Sequence, residues 1–180
     1  MSTVSIPAAE RELAELNAEL LEQGVEVLSS IQDETYTCPA DLFGGQRIGG
    51  HIRHIVEFYE RLFEGVKTGV VDYAARRRDP VVEMDRSAAI LRLESVCDCL
   101  RSGGGSVDSV ELLMRPEDSA RGHVRSTSGR ELEAVASHTI HHFALISVLL
   151  RYFGLAVPQE FGVSKATLRY RASTRDLQVA

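Results

Sequence analysis

The chain has 180 residues, 44% hydrophobic and 26% charged, with a formal net charge of −6 at pH 7. These values predict one soluble domain that buries enough apolar surface to fold without staples. The negative charge excludes a general affinity for nucleic acid or acidic membranes. Three cysteines are too few and too odd in number for a disulfide framework. The sequence shows neither a signal peptide nor an uncharged apolar run of about 20 residues, so we expect a cytoplasmic protein without membrane contact.

Four segments carry apolar residues at steps of three and four, which predicts four amphipathic helices. The predicted helices begin near residues 5, 47, 82 and 128 and end near residues 33, 67, 101 and 153. Breaker residues predict a loop over 36–45 and an irregular, arginine-rich connection over 69–80. Two short alternating runs, 110–114 and 122–126, predict a small β-hairpin. The fold class is therefore all-α, an antiparallel four-helix bundle with a hairpin before the last helix.

The last helix has the clearest start signal in the chain. Ser128-Gly129-Arg130-Glu131 fits the capping box, in which the Ser128 side chain accepts from a backbone N–H and Glu131 reaches back to Ser128. We assign residues 1–157 to the bundle. Residues 158–180 form a polar, basic tail without a strong period, which we expect to be solvated or loosely docked.

Five of the six histidines fall in two clusters, one on the second and one on the fourth predicted helix. On a helical wheel, His138 and His142 lie together on one flank of the apolar face, and His141 points nearly to the opposite side. His51 lies well inside the apolar face of its helix, whereas His54 lies roughly twice as far from the centre of that face. The wheel therefore directs His51, His138 and His142 to the bundle interior and turns His54 and His141 away.

Three histidines that converge on an apolar interior need a shared reason, because both ring nitrogens require partners. An i, i+4 pair and one histidine from a facing helix can supply three nitrogens to a divalent ion and leave a position open. We therefore predict a metal site at His51, His138 and His142. The alternative is that each is a core or flank histidine hydrogen-bonded to backbone or hydroxyl groups.

Two segments, GGHIRHIVEFYERL at 49–62 and GRELEAVASHTIHHFALI at 129–146, resemble the histidine-bearing helices of the DinB/YfiT-like superfamily. That resemblance implies a four-helix bundle with a divalent metal on three histidines, one from the second helix and two from an H-x-x-x-H on the last. Carried over by motif, these are His51, His138 and His142. An uncharacterised subgroup of this family also shares the patterns D-Y-x-x-R-R-x-D-P, at 72–80, and T-L-R-Y-R, at 167–171.

The resemblance implies a metal-dependent enzyme, since characterised relatives include thiol-dependent S-transferases and a thiol-dependent isomerase. We expect zinc or nickel, with iron or manganese as further candidates, and a small thiol or anionic compound as substrate. Arg76, Arg77 and Arg78 either hold an anionic group near the bundle mouth or form a solvated basic loop. The resemblance also favours a homodimer. The alternative function is a non-catalytic metal-binding or dimeric bundle protein linked to stress.

Overall fold

The computed structural model describes residues 8–103, 110–116 and 122–178. Within those residues the chain is about 70% helical, with seven α-helices and one small sheet of three strands, so the predicted mainly helical fold is confirmed. The helices are α1 Ala8–Ser30, α2 Asp33–Thr37, α3 Ile48–Thr68, α4 Pro80–Met84, α5 Arg86–Arg101, α6 Ser128–Tyr152 and α7 Lys165–Gln178. The strands are β1 Val70–Val71, β2 Glu111–Met114 and β3 Val124–Thr127.

Four long helices enclose the core: α1 packs against α5 and α6, and α3 packs against the same two helices. Their apolar stripes meet inside, where burial of each large aliphatic side chain contributes roughly 1.5–3 kcal/mol. The largest fully buried side chains include Leu21, Leu28, Ile52, Ile55, Leu93, Phe143, Ile146 and Leu149. These helices correspond to the four that the apolar period predicts. The predicted start of the first, at Ser5–Pro7, lies outside the described residues.

Two connections are more ordered than the sequence predicts. The segment predicted as a loop from residue 36 overlaps α2, in which Tyr36 is buried and donates a hydrogen bond to the Val82 carbonyl over 2.6 Å. The predicted single helix 82–101 is wrong, because it divides at Asp85 into α4 and α5. The Asp85 side chain caps α5 by accepting from the Ala88 N–H. The backbone of Asp85 is extended, which ends α4.

The predicted hairpin is confirmed, with β2 and β3 antiparallel and Glu111 opposite Thr127. The connection over 69–80 is not irregular throughout, since β1 pairs in parallel with β2. Residues Tyr73–Ala75 then form a 3-10 turn, which the Asp72 side chain caps. A strand of two residues is too short to show an alternating pattern in the sequence.

The capping box at the start of α6 is not formed. Thr127 is the cap, and its hydroxyl accepts from the Arg130 N–H over 3.2 Å. The Ser128 hydroxyl instead accepts from the Val110 N–H of the segment that enters β2. Glu131 is buried and accepts from the Tyr73 hydroxyl over 2.9 Å. Tertiary partners thus replace the local partners that the motif predicts.

The tail is more structured than expected. Phe161 is buried and stacks on Phe143 with ring centroids 4.5 Å apart, and its carbonyl accepts from the Ser147 hydroxyl. Gly162 has φ of +73°, and a Cβ there would lie 2.5 Å from the backbone nitrogen of Ala144, so the chain crosses α6 at close range. The tail then forms α7. The domain boundary after residue 157 stays a prediction.

Among the described helices, α6 is long and apolar enough to cross a membrane by length and composition, with a mean hydropathy of 1.2 over its best window. Part of that window, 39%, is buried inside the protein. The core helix of a soluble protein passes the same test.

Two helical glycines provide a matched test of this packing. A Cβ at Gly49 would lie 1.9 Å from the backbone oxygen of Glu83, whereas a Cβ at Gly129 would have nothing within 4 Å. We expect Gly49→Ala to lower the free energy of unfolding by about 2 kcal/mol or more, because α3 and α4 must separate. Gly129→Ala should be neutral or stabilising by up to about 1 kcal/mol. Urea denaturation of both variants measures this, and equal effects would contradict the close approach of α3 to α4.

Candidate metal centre

Four histidine side chains meet where α3 packs against α6. His51 and His54 are one turn apart on α3, and His138 and His142 are one turn apart on α6, so each helix presents two imidazoles to the other. The Nδ1 atoms of His51 and His142 lie 2.9 Å apart. The Nε2 atoms of His54 and His138 lie 2.8 Å apart. In each pair one ring nitrogen donates to the other.

Three of the four form a group that could hold one ion. His54, His138 and His142 are partly buried, and one nitrogen from each lies within 4.8 Å of the others. His138 and His142 are thus brought together as predicted. His141 is exposed, also as predicted.

The expectation that His54 turns away from the shared interior is wrong. Its ring centroid lies 4.9 Å from that of His138 and 4.6 Å from that of His142. The wheel measures the angle of a side chain around its own helix, but not where the neighbouring helix lies. Because α6 passes beside the flank of α3 that carries His54, an imidazole off the centre of the apolar face still reaches the cluster.

His51 is buried beside the same cluster. Its Nδ1 is occupied by His142, and its Nε2 is buried without a hydrogen-bond partner among the described residues. A buried, unpartnered imidazole nitrogen is costly, and a ligand or ion that reached it would remove that cost. The assignment of His51 as a metal ligand stays a prediction, and α3 offers both His51 and His54 for the position.

An aromatic stack covers one side of the cluster. The Phe58 ring stacks on His138 with centroids 4.2 Å apart, and the Tyr73 ring stacks on Phe58 with centroids 4.7 Å apart. The guanidinium carbon of Arg76 lies 5.0 Å from the Phe58 centroid. The sequence reasoning missed Phe58, although its position four residues after His54 places both on one face of α3.

Arg76 is engaged with its own surroundings. It donates to the Tyr73 carbonyl over 2.6 Å, and its Nε lies 3.9 Å from the carboxylate of Glu57, which is buried. Glu57 also accepts from the Asp79 N–H over 2.8 Å. These contacts tie the connection between β1 and α4 to α3.

A pocket of about 410 Å³ reaches the cluster. Three of the imidazoles, those of His51, His54 and His142, line it together with Arg47, Arg53, Glu83 and a glycine-rich segment. Volumes of this order are typical of sites for small molecules. A compound in the pocket would therefore lie beside three of the four imidazoles.

Burial keeps three of the imidazoles neutral, those of His51, His54 and His142. Burial and, after it, the nearby charge of Arg76 lower the pKa of His54 to about 3. Burial likewise lowers the pKa of His142 to about 3, with His138 as the next contributor, and burial lowers the pKa of His51. Neutral imidazole is the form that binds metals, so the site holds its nitrogens ready for an ion at neutral pH.

Comparison with known proteins gives one partial similarity and no family. No protein-family model matches the chain. A protein named FK506-binding protein 5, from Rhizopus delemar, is 32% identical over 105 residues, which are 56% of this chain. The match covers 27% of that protein's length and so does not assign this chain to a family.

The depressed pKa values predict an acid-sensitive fold in chelator-treated protein. Between pH 6.5 and about 3 the unfolded chain protonates these imidazoles, whereas the folded chain does not. The unfolded state therefore binds more protons, and the free energy of unfolding falls as the pH falls through this window. Urea denaturation at a series of pH values measures the slope.

The double variant His54→Gln/His142→Gln should lose part of that slope. His141→Gln, which changes an exposed histidine on the same helix, is the control and should keep it. An unchanged slope in the double variant would show that other groups cause the acid sensitivity.

Proposed function

We propose that this protein is a divalent-metal-dependent enzyme whose ion lies between α3 and α6. The observation that carries the proposal is the convergence of His54, His138 and His142 within 4.8 Å beside a pocket that opens to solvent. Histidine is the commonest metal ligand in proteins, and burial holds the imidazoles of His54 and His142 neutral.

The donor set fits such an ion. His138 and His142 supply two nitrogens from α6, and His54 supplies the third from α3. Imidazole ligands suit zinc and nickel, and also iron; manganese is a further candidate. When bound, a divalent ion with an open position acts as a Lewis acid toward a group placed there.

We further propose that the chain is a DinB/YfiT-like bundle. Its activity would be that of a transferase or hydrolase on a small thiol or anionic compound. The most specific form of this proposal is a thiol-dependent S-transferase. Support comes from the four long helices and from the H-x-x-x-H on α6 facing two histidines of α3. A cytoplasmic location and a homodimer belong to the same proposal. A monomer by light scattering would remove the dimer alone.

One observation favours a non-catalytic alternative. The four imidazoles pair with each other at 2.8 and 2.9 Å, so one nitrogen on each ring has a partner without an ion. A bundle that holds a structural ion or none would need nothing more. The pocket favours the enzyme, because a purely structural cluster has no need of access from solvent.

Metal content of single variants tests the proposal. After purification without a metal-affinity tag, we expect His54→Ala, His138→Ala and His142→Ala each to lose most of the bound metal measured by elemental analysis, because two nitrogens hold an ion much more weakly than three. His141→Ala should retain it, because that side chain is exposed.

His51→Ala separates the two assignments for α3. If His54 is the ligand, His51→Ala keeps most of the metal and His54→Ala does not. The reverse result would establish the ligand set His51, His138 and His142. Absence of metal from the unmodified protein, and no uptake on addition of zinc or nickel, would support the non-catalytic alternative.

A further inference from the structure

The walls of the pocket beside the histidines carry a net positive charge. Its charged lining residues are two arginines and one glutamate, Arg47, Arg53 and Glu83. The neutral imidazoles add no charge, and a bound divalent ion would add more positive charge. An anion therefore complements this pocket better than a cation or a neutral molecule.

Arg53 is the better placed of the two guanidinium groups. It lies on α3 between His51 and His54, and its side chain is one-fifth exposed. Its Nε lies 3.2 Å from a Glu83 carboxylate oxygen but is buried without a well-aligned hydrogen bond. The described residues provide no hydrogen bond to its two terminal nitrogens. Those nitrogens are available to a ligand as a planar, two-pronged donor, which matches a carboxylate.

Arg47 and Glu83 hold the pocket wall in place. Arg47 donates through Nε to the Thr37 carbonyl over 2.8 Å, and its Nη1 lies 3.9 Å from Glu83. Glu83 thus lies between both guanidinium groups and orients them. Neutralisation of two arginines by one carboxylate leaves one positive charge for an incoming anion.

Gly50 keeps the space beside these groups open. A Cβ at this position would meet only the Glu83 carboxylate, at 3.9 Å. A larger side chain would therefore extend into the pocket and displace a ligand.

We infer that this pocket binds a small organic carboxylate, with its carboxylate group on Arg53 and the rest of the molecule directed toward the histidines. The inference rests on the proposed function, because it names the substrate class of the proposed metal site. Arg76, Arg77 and Arg78 are the sequence-based candidates for binding an anionic group. The inference assigns this role to an arginine that lines the pocket instead.

NMR titration of the full chain with succinate tests the inference, in both the zinc-loaded and the metal-free protein. We expect saturable shifts of the backbone amides of Gly50 and His54. Arg53→Gln should weaken succinate binding by about tenfold or more, since a charge-assisted pair is lost. Arg61→Gln removes the same charge from the same helix, at a residue that pairs with Glu64 outside this pocket, and should bind as the unmodified protein does.

Further measurements test separately the charge of the ligand and the space beside Gly50. Succinamide, which has the same skeleton without charge, should bind at least tenfold more weakly than succinate. Gly50→Leu should abolish binding even if Arg53→Gln fails to fold. Inorganic phosphate tests a second anion: tighter binding of phosphate than of succinate would overturn the carboxylate assignment.

The outcomes for the ion and for the pocket are distinguishable. Binding of succinate to the metal-free protein that depends on Arg53 supports the pocket even if no metal is ever found, in which case the proposed enzyme fails alone. Metal uptake without any binding that depends on Arg53 or Gly50 would overturn the inference and leave the metal site standing.

Discussion

The polar nitrogens of four imidazoles must find partners in the partly buried space between α3 and α6, and much of the neighbouring structure serves that requirement. Two imidazole pairs satisfy one nitrogen on each ring. Phe58 stacks on His138, and Tyr73 stacks on Phe58. The hydroxyl of Tyr73 in turn donates to the buried Glu131 at the start of α6. The cluster is thus connected to α6 twice, directly and through this stack.

Buried carboxylates extend the same arrangement to the connections between helices. Glu57 holds the backbone of Asp79 and lies near Arg76, so the segment between β1 and α4 is attached to α3. Glu131 accepts from the Ser126 hydroxyl as well as from Tyr73, which attaches β3 to the start of α6 and to Tyr73. A buried carboxylate is expensive without such donors. These two residues therefore favour one arrangement of the chain around the histidines.

The surroundings of His138 differ from those of the other three imidazoles. Phe58 stacks on His138, and Tyr73 stacks on Phe58. His51, His54 and His142 instead line the pocket together with Arg53. A small molecule in that pocket would lie beside these imidazoles, which favours the proposed chemistry over a purely structural ion.

The sequence by itself determined the long helices, the hairpin and the histidine pair on α6, because a 3.6-residue period, a 2-residue period and an i, i+4 spacing are local properties of the chain. It did not determine which α3 histidine approaches His138, since a helical wheel contains no information on where the neighbouring helix crosses. It also assigned Ser128 and Glu131 to a local capping box, whereas partners distant along the chain, Val110 and Tyr73, occupy their side chains. Only the tertiary structure decided that Arg53 faces the pocket while Arg76 lies over Phe58, because both depend on the packing of segments far apart in the chain.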